Sequence, residues 1–331
     1  MIMILTPLTS FSLDIIRILA AQAVLLGHLI LSHKLLLQFT QPNNPYMENI
    51  AVVIFFLLSG LLISMSVEAK RRAGNYRFLD FLYSRFSRIY SVFLPALFLV
   101  VILDGLIIWL RPENYRYFSA FNIKTFFTNL LMLQYFPSVP FGSGRPFWAL
   151  PLWWWTYLSY GWLVLGKTRW WIVFLLAIPI YSLFFGRGQG LVLVWTMGVL
   201  IYYGLSQKIL TRIDRKLSLV GALILLTLAV VRVNYTLREY EIIFELLLAG
   251  GIGFLLNYLQ TFKAKINGAV PKILRFFAGY SLTLYLTHFS INSFILSLTG
   301  RKSSVTLFIF SWVICNLSAM IIAAGTEKKA R

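Results

Sequence analysis

Apolar runs of about 20 residues recur along the whole chain, and about 20 residues is the length a helix needs to cross a hydrocarbon layer of about 30 Å. They fall at 12–32, 49–67, 88–110, 148–166, 168–186, 190–206, 217–233, 241–260, 276–298 and 304–325. In lipid a backbone must satisfy its own hydrogen bonds, so runs of this length fold as helices. The expectation is an all-α integral membrane protein: a bundle of about ten transmembrane helices forming one domain over 1–331, with no appended soluble domain. Hydrophobic residues make up 59% of the chain, too many for a soluble globular domain.

The formal net charge of +19 follows from the same architecture. With the N-terminus inside, nineteen of the thirty Lys and Arg residues fall on cytoplasmic connections and ten on the opposite side, with Arg17 inside the membrane. This asymmetry is the positive-inside bias, and it predicts that both termini are cytoplasmic. The basic excess therefore points to the lipid bilayer and its anionic headgroups, not to nucleic acid. The single cysteine, Cys315, excludes an intrachain disulfide, and no spacing of metal ligands stands out.

The first run carries three groups that hydrocarbon disfavours: Asp14, Arg17 and His28. At 100° per residue, the eleven steps from Arg17 to His28 bring both side chains to one stripe, roughly 16 Å apart along the axis. Asp14 lies one turn from Arg17, within reach of an ion pair. Ionisable residues at membrane depth usually face a bundle interior and mark a functional site. His33, at the outer end of the run, reads as an interfacial residue.

Other polar groups recur at defined places. The loop before the third run is the densest basic patch, and Arg85 and Arg88, three apart, share a helix face at its cytoplasmic mouth. Paired guanidinium forks suit phosphate, although a topology signal meeting lipid headgroups has the same composition. Residues 121–136 are apolar but too short to span, so they are expected to lie in the interface or re-enter. Trp148, Trp153, Trp154 and Trp155 form a cluster that fits an interfacial belt or a stacking wall. Ser59 and Gly60 suit close helix packing, as do Gly250, Gly251 and Gly253. Gly186 to Gly190 reads as a tight hairpin. Ser281, Tyr285 and His288 follow i, i+4, i+7 spacing and make one polar stripe, a pattern that serves helix packing more often than a site. Two further carboxylates, Asp104 and Glu245, are expected at about the depth of His28.

Together these residues resemble the bacterial membrane-bound acyltransferase-3 family, whose members O-acylate surface polysaccharides and related acceptors. Arg17, ten residues and His28 are similar to its Arg-x10-His signature. Phe55 to Gly60 resembles its FFxLSG stretch, Arg85-Phe86-Ser87-Arg88-Ile89-Tyr90 its RxxR-I-Y motif, and Pro146-Phe147-Trp148 its PLW. Tyr280-Ser281 to His288 resembles its SYxLYLxH, and Thr326-Glu327-Lys328 its closing I-E-K. Two positions depart from the pattern: Val53 stands where an acidic residue often precedes FFxLSG, and Trp153 where the extended PLW motif places a glutamate.

The resemblance implies an O-acyltransferase of the bacterial inner membrane that moves an acyl group, acetyl by expectation, from cytoplasmic acyl-CoA to a hydroxyl of a carbohydrate acceptor. His28 would serve as general base or transient acyl carrier, with Arg17, Asp14 and Asp104 in support. Arg85, Arg88 and Tyr90 would hold the donor. Trp148, Tyr280, Ser281, Tyr285, His288 and Glu245 would line the acceptor site. Buried histidine, arginine and carboxylates also build proton relays, so a proton-coupled transporter or flippase is the rival class, and a catalytically silent scaffold is the third.

Overall fold

A computed structural model describes residues 5–37, 47–134, 138–166, 172–185, 188–235, 240–262, 269–300 and 304–326. Among them are twelve α-helices and no strand. They are α1 (Pro7–His33), α2 (Met47–Ala73), α3 (Phe78–Leu110), α4 (Ile123–Leu130), α5 (Leu150–Leu165) and α6 (Ile172–Phe185), followed by α7 (Leu191–Ser206), α8 (Arg215–Tyr235), α9 (Ile242–Gln260), α10 (Val270–Gly279), α11 (Ser281–Leu298) and α12 (Val305–Thr326). Six of these, α1, α2, α3, α8, α9 and α12, are long and apolar enough to cross a membrane. The protein is a multi-pass membrane protein. Nine of the ten expected apolar runs each overlap one helix, but α5, α6 and α7 have only 16, 14 and 16 residues. The chain termini, Gln41 to Pro45, Gly186, Arg187 and the Glu327-Lys328 pair lie outside the described residues.

Three boundaries differ from the sequence reading. Helix α3 begins ten residues early and runs for 33 residues, about 50 Å, so Arg85 and Arg88 lie within it and not at its mouth. The expected ninth run divides at Tyr280 into α10 and α11. Gly279 is a poor helix former, and α10 exposes Lys272 and Arg275 beside Ile273 and Phe276, the makeup of a helix lying on a membrane surface. Within 121–136 the structure forms α4, started by Asn122, whose Oδ1 accepts from the Thr125 amide at 3.0 Å.

The chain packs as two compact units. One comprises Met1–Ala20, Gln38–Arg77 and Tyr181–Ala278, the other Ala21–Leu37, Phe78–Ile180 and Gly279–Arg331. In the first, α2 lies along α7 and α8 along α9. A Cβ on Gly60 of α2 would overlap the Trp195 carbonyl oxygen, and one on Gly198 of α7 would overlap that of Leu57. The two backbones touch, as small residues allow in membranes. The α8 face bearing Leu217, Leu223, Ile224 and Leu228 is exposed, as expected of a lipid-facing surface.

In the second unit α11 packs on α3 and α12, and α3 on α5. Helix α11 buries Ser281, Thr283, Thr287, His288, Ser290, Asn292, Ser293 and Ser297. These polar groups are buried beside Leu284, Leu286, Ile291, Ile295 and Leu296. His33, expected at the interface, is fully buried here, its Nε2 3.0 Å from Asn292 Oδ1.

Candidate active site

The polar face of α11 and the C-terminal half of α1 meet at two histidines. His288 is 1% exposed. Its Nδ1–H donates to the Leu284 carbonyl at 2.9 Å, one turn back, so the other ring nitrogen, Nε2, carries the lone pair of the neutral ring. Cys315 of α12 donates its thiol to the His288 carbonyl at 3.4 Å. The imidazole of His28 lies on that of His288, with centroids 5.2 Å apart and planes at 23°. Phe289 meets His28 edge-on at 5.3 Å and 90°. Tyr285 stands 6.5 Å from His288, and Trp153 of α5 stands 5.9 Å from Tyr285. The helical stripe read from the sequence as packing thus carries a second imidazole to His28. Trp153, which stands where the family pattern places a glutamate, lies in this cluster, and Phe289 joins it without having been expected there.

Asp104 does not partner either histidine. It is fully buried in α3 and accepts the Tyr115 hydroxyl at 2.7 Å, the Ser143 amide at 2.7 Å and the Ser143 hydroxyl at 2.6 Å. Burial, then the adjacent carboxylate, raises the Tyr115 hydroxyl above its ordinary range, which keeps it a donor. Gly142 makes the approach possible, with φ +51° and no side chain to collide with the carboxylate. Asp104 therefore anchors both ends of the connection between α3 and α5. That connection touches the histidine cluster through rings: Tyr115 meets Tyr117 at 5.9 Å, and Tyr117 meets Phe289 at 6.3 Å. Asn114 Nδ2 also donates to the Ser297 carbonyl of α11 at 2.9 Å.

A stacked imidazole pair in a polar interior inside an apolar bundle suits proton transfer and acyl chemistry. An acyltransferase domain is matched over residues 10–326. The chain belongs to the acyltransferase-3 family. No curated protein and no solved structure matches it.

The acyltransferase distributes its other expected site residues unevenly. Arg85 is buried, with its guanidinium over the Phe81 ring at 5.6 Å and Nη2 donating to Ser84 Oγ at 3.2 Å, whereas Arg88 on the same helix is exposed. Tyr90 does not present its hydroxyl to a ligand site: it donates to the Leu130 carbonyl at 2.8 Å, and its ring stacks on Phe86 at 4.2 Å. Tyr280 donates at 3.2 Å to Asn316 Oδ1, which also accepts from Gln22 Nε2 at 2.7 Å, so it braces α1 and α12. Ser281 is buried and Trp148 half-buried.

Asp14, Arg17 and Glu245 belong to the other unit. Arg17 Nη1 lies 3.9 Å from Asp14 Oδ1, the ion pair expected from their spacing. Glu245, fully buried in the first turn of α9, packs against Gly190, where a Cβ would collide with its carboxylate. Among the described residues no three His, Cys, Asp or Glu side chains gather as a metal site would require.

Proposed function

We propose that this acyltransferase transfers an acyl group, acetyl in the simplest case, from cytoplasmic acyl-CoA to a hydroxyl of a carbohydrate acceptor in the bacterial inner membrane. The observation that carries this reading is the half-buried His28 imidazole stacked on His288, on the stripe that bears the family's arginine and histidine. An imidazole in this setting takes the proton of an attacking hydroxyl or carries the acyl group itself. Acid–base catalysis by one positioned side chain accounts for about 10² to 10⁴ in rate. The exposed Arg88 offers a guanidinium to the phosphates of CoA, and the buried Arg85 steadies the same helix against Phe81. Where a carboxylate would orient the histidine, this chain has Trp153 and aromatic neighbours, and Asp104 supports the site through its loop.

The test is label transfer from radiolabelled acetyl-CoA to polysaccharide in membranes with and without the protein, followed by mass spectrometry of the surface glycans. Ester-linked label that depends on the protein supports the reading. Unmodified glycans together with proton-coupled movement of a solute would turn it toward a transporter.

A further inference from the structure

The stacking of two histidines assigns a role to the one that the proposed transfer does not require. His288 is enclosed on all sides, and its orientation is set by the Nδ1–H bond to Leu284. Its Nε2 is buried and, among the described residues, has no hydrogen-bond partner. An unpaired buried acceptor destabilises the fold, a cost that a phenylalanine of similar shape would avoid while still stacking on His28. The nitrogen therefore calls for an explanation that packing does not supply.

We infer that His28 and His288 share a single proton, with Nε2 of His288 as the second resting place for the proton that the acceptor hydroxyl loses. This rests on the acyl-transfer reading. The hydroxyl O–H bond breaks as its oxygen attacks the thioester carbonyl, and the proton passes to a ring nitrogen of His28. The C–S bond breaks and the thiolate departs. His28 is only half-buried, so its ring can turn beside the fixed His288 and hand a proton to Nε2. Two imidazolium ions with centroids 5.2 Å apart repel strongly in a low-dielectric interior, so the pair carries one charge and not two. The proton returns through His28 and ends on the CoA sulfur, leaving both imidazoles neutral and the ester and free thiol as products.

The test compares the purified wild type with His288→Phe and His288→Leu, reading kcat, KM for acetyl-CoA and thermal midpoint. His288→Phe keeps a flat ring and removes the nitrogen. It is expected to lose about 10² in kcat, to keep KM within about twofold, and to melt at or above the wild-type temperature because the unpaired acceptor is gone. His288→Leu should be at least as impaired in kcat. The three histidines of the chain make selective carbon-13 labelling decisive on geometry: the ring-current shift of His28 should persist in the Phe variant and disappear in the Leu variant. Turnover of His288→Phe within about twofold of wild type would overturn the shared proton while leaving acyl transfer standing. A wild type that transfers no acyl group would overturn both.

Discussion

The two units of this acyltransferase solve helix packing in opposite ways. In the first, α2 and α7 approach until Gly60 faces the Trp195 carbonyl and Gly198 faces that of Leu57, and nothing separates the backbones. In the second, α11 meets its neighbours through side chains: His288 on His28, Tyr280 on Asn316 and His33 on Asn292. Backbone contact gains dispersion along the whole helix but leaves no polar group to work with. Side-chain contact buries hydroxyls, amides and imidazoles that hydrocarbon disfavours, and such groups persist at functional positions. Substitutions at the contact of α2 with α7 should therefore act on folding, and those around α11 on turnover.

The sharpest way to break this contrast is Gly60→Leu. With the Trp195 carbonyl in the way, α7 must move, and we expect a loss of about 3 kcal/mol or more, seen as failure to recover folded protein in detergent. A variant that melts like wild type would remove the basis of the comparison. Next is Asp104→Asn in the second unit. It replaces one accepting oxygen by an NH2 group that cannot accept, which breaks at least one of the bonds from Tyr115 and Ser143 and loosens the loop that carries Tyr117 to Phe289. Turnover should fall about tenfold, in line with a small displacement of a positioned group, with acetyl-CoA binding little changed. Glu245→Gln, in the first unit, should reduce turnover less.

A smaller effect separates two arginines on one helix. Arg88→Ala should raise the KM for acetyl-CoA a few-fold, and added salt should reproduce much of that rise in the wild type by screening. Arg85→Ala should instead lower the thermal midpoint, because its guanidinium lies buried on Phe81. Equal effects on KM would return both to a common donor site. The smallest change is expected at Glu241, whose carboxylate caps α9 at the Phe244 amide and binds Arg232 through two bonds of 3.2 Å. Burial pulls this carboxyl up, and the Arg232 and Phe244 bonds outweigh it, holding it below its usual range. Its contribution is therefore present above the unfolded carboxyl value and lost as pH falls through the folded one. Glu241→Ala should cost about 1 kcal/mol near neutrality, and the difference from wild type should shrink below about pH 4.

Much of this was legible in the chain itself. The helices show in hydropathy because a lipid-facing helix must be apolar, and the Asp14–Arg17 pair shows because three residues on a helix bring side chains together. Helical spacing also places Ser281, Tyr285 and His288 on one stripe. It does not reveal which stripe of another helix that one meets, because His28 and His288 are 260 residues apart and their contact depends on how α1 and α11 are packed. Asp104 misled for a related reason: its depth was readable, but its partners Tyr115 and Ser143 sit in irregular backbone with no periodicity to place them. Arg85 and Arg88 share a face by spacing, yet the ring of Phe81 covers one and leaves the other open. Phe289 lay beside His288 all along, with no polar signal to draw notice.

The central claim is that acyl transfer depends on the imidazole of His28 and not on the integrity of the bundle around it. The direct measurement is acetyl-CoA turnover and thermal midpoint of the purified protein, wild type against His28→Ala. The account predicts a rate at least about 10²-fold lower with a midpoint within a few degrees of wild type. Turnover at the wild-type rate in a folded variant would contradict it.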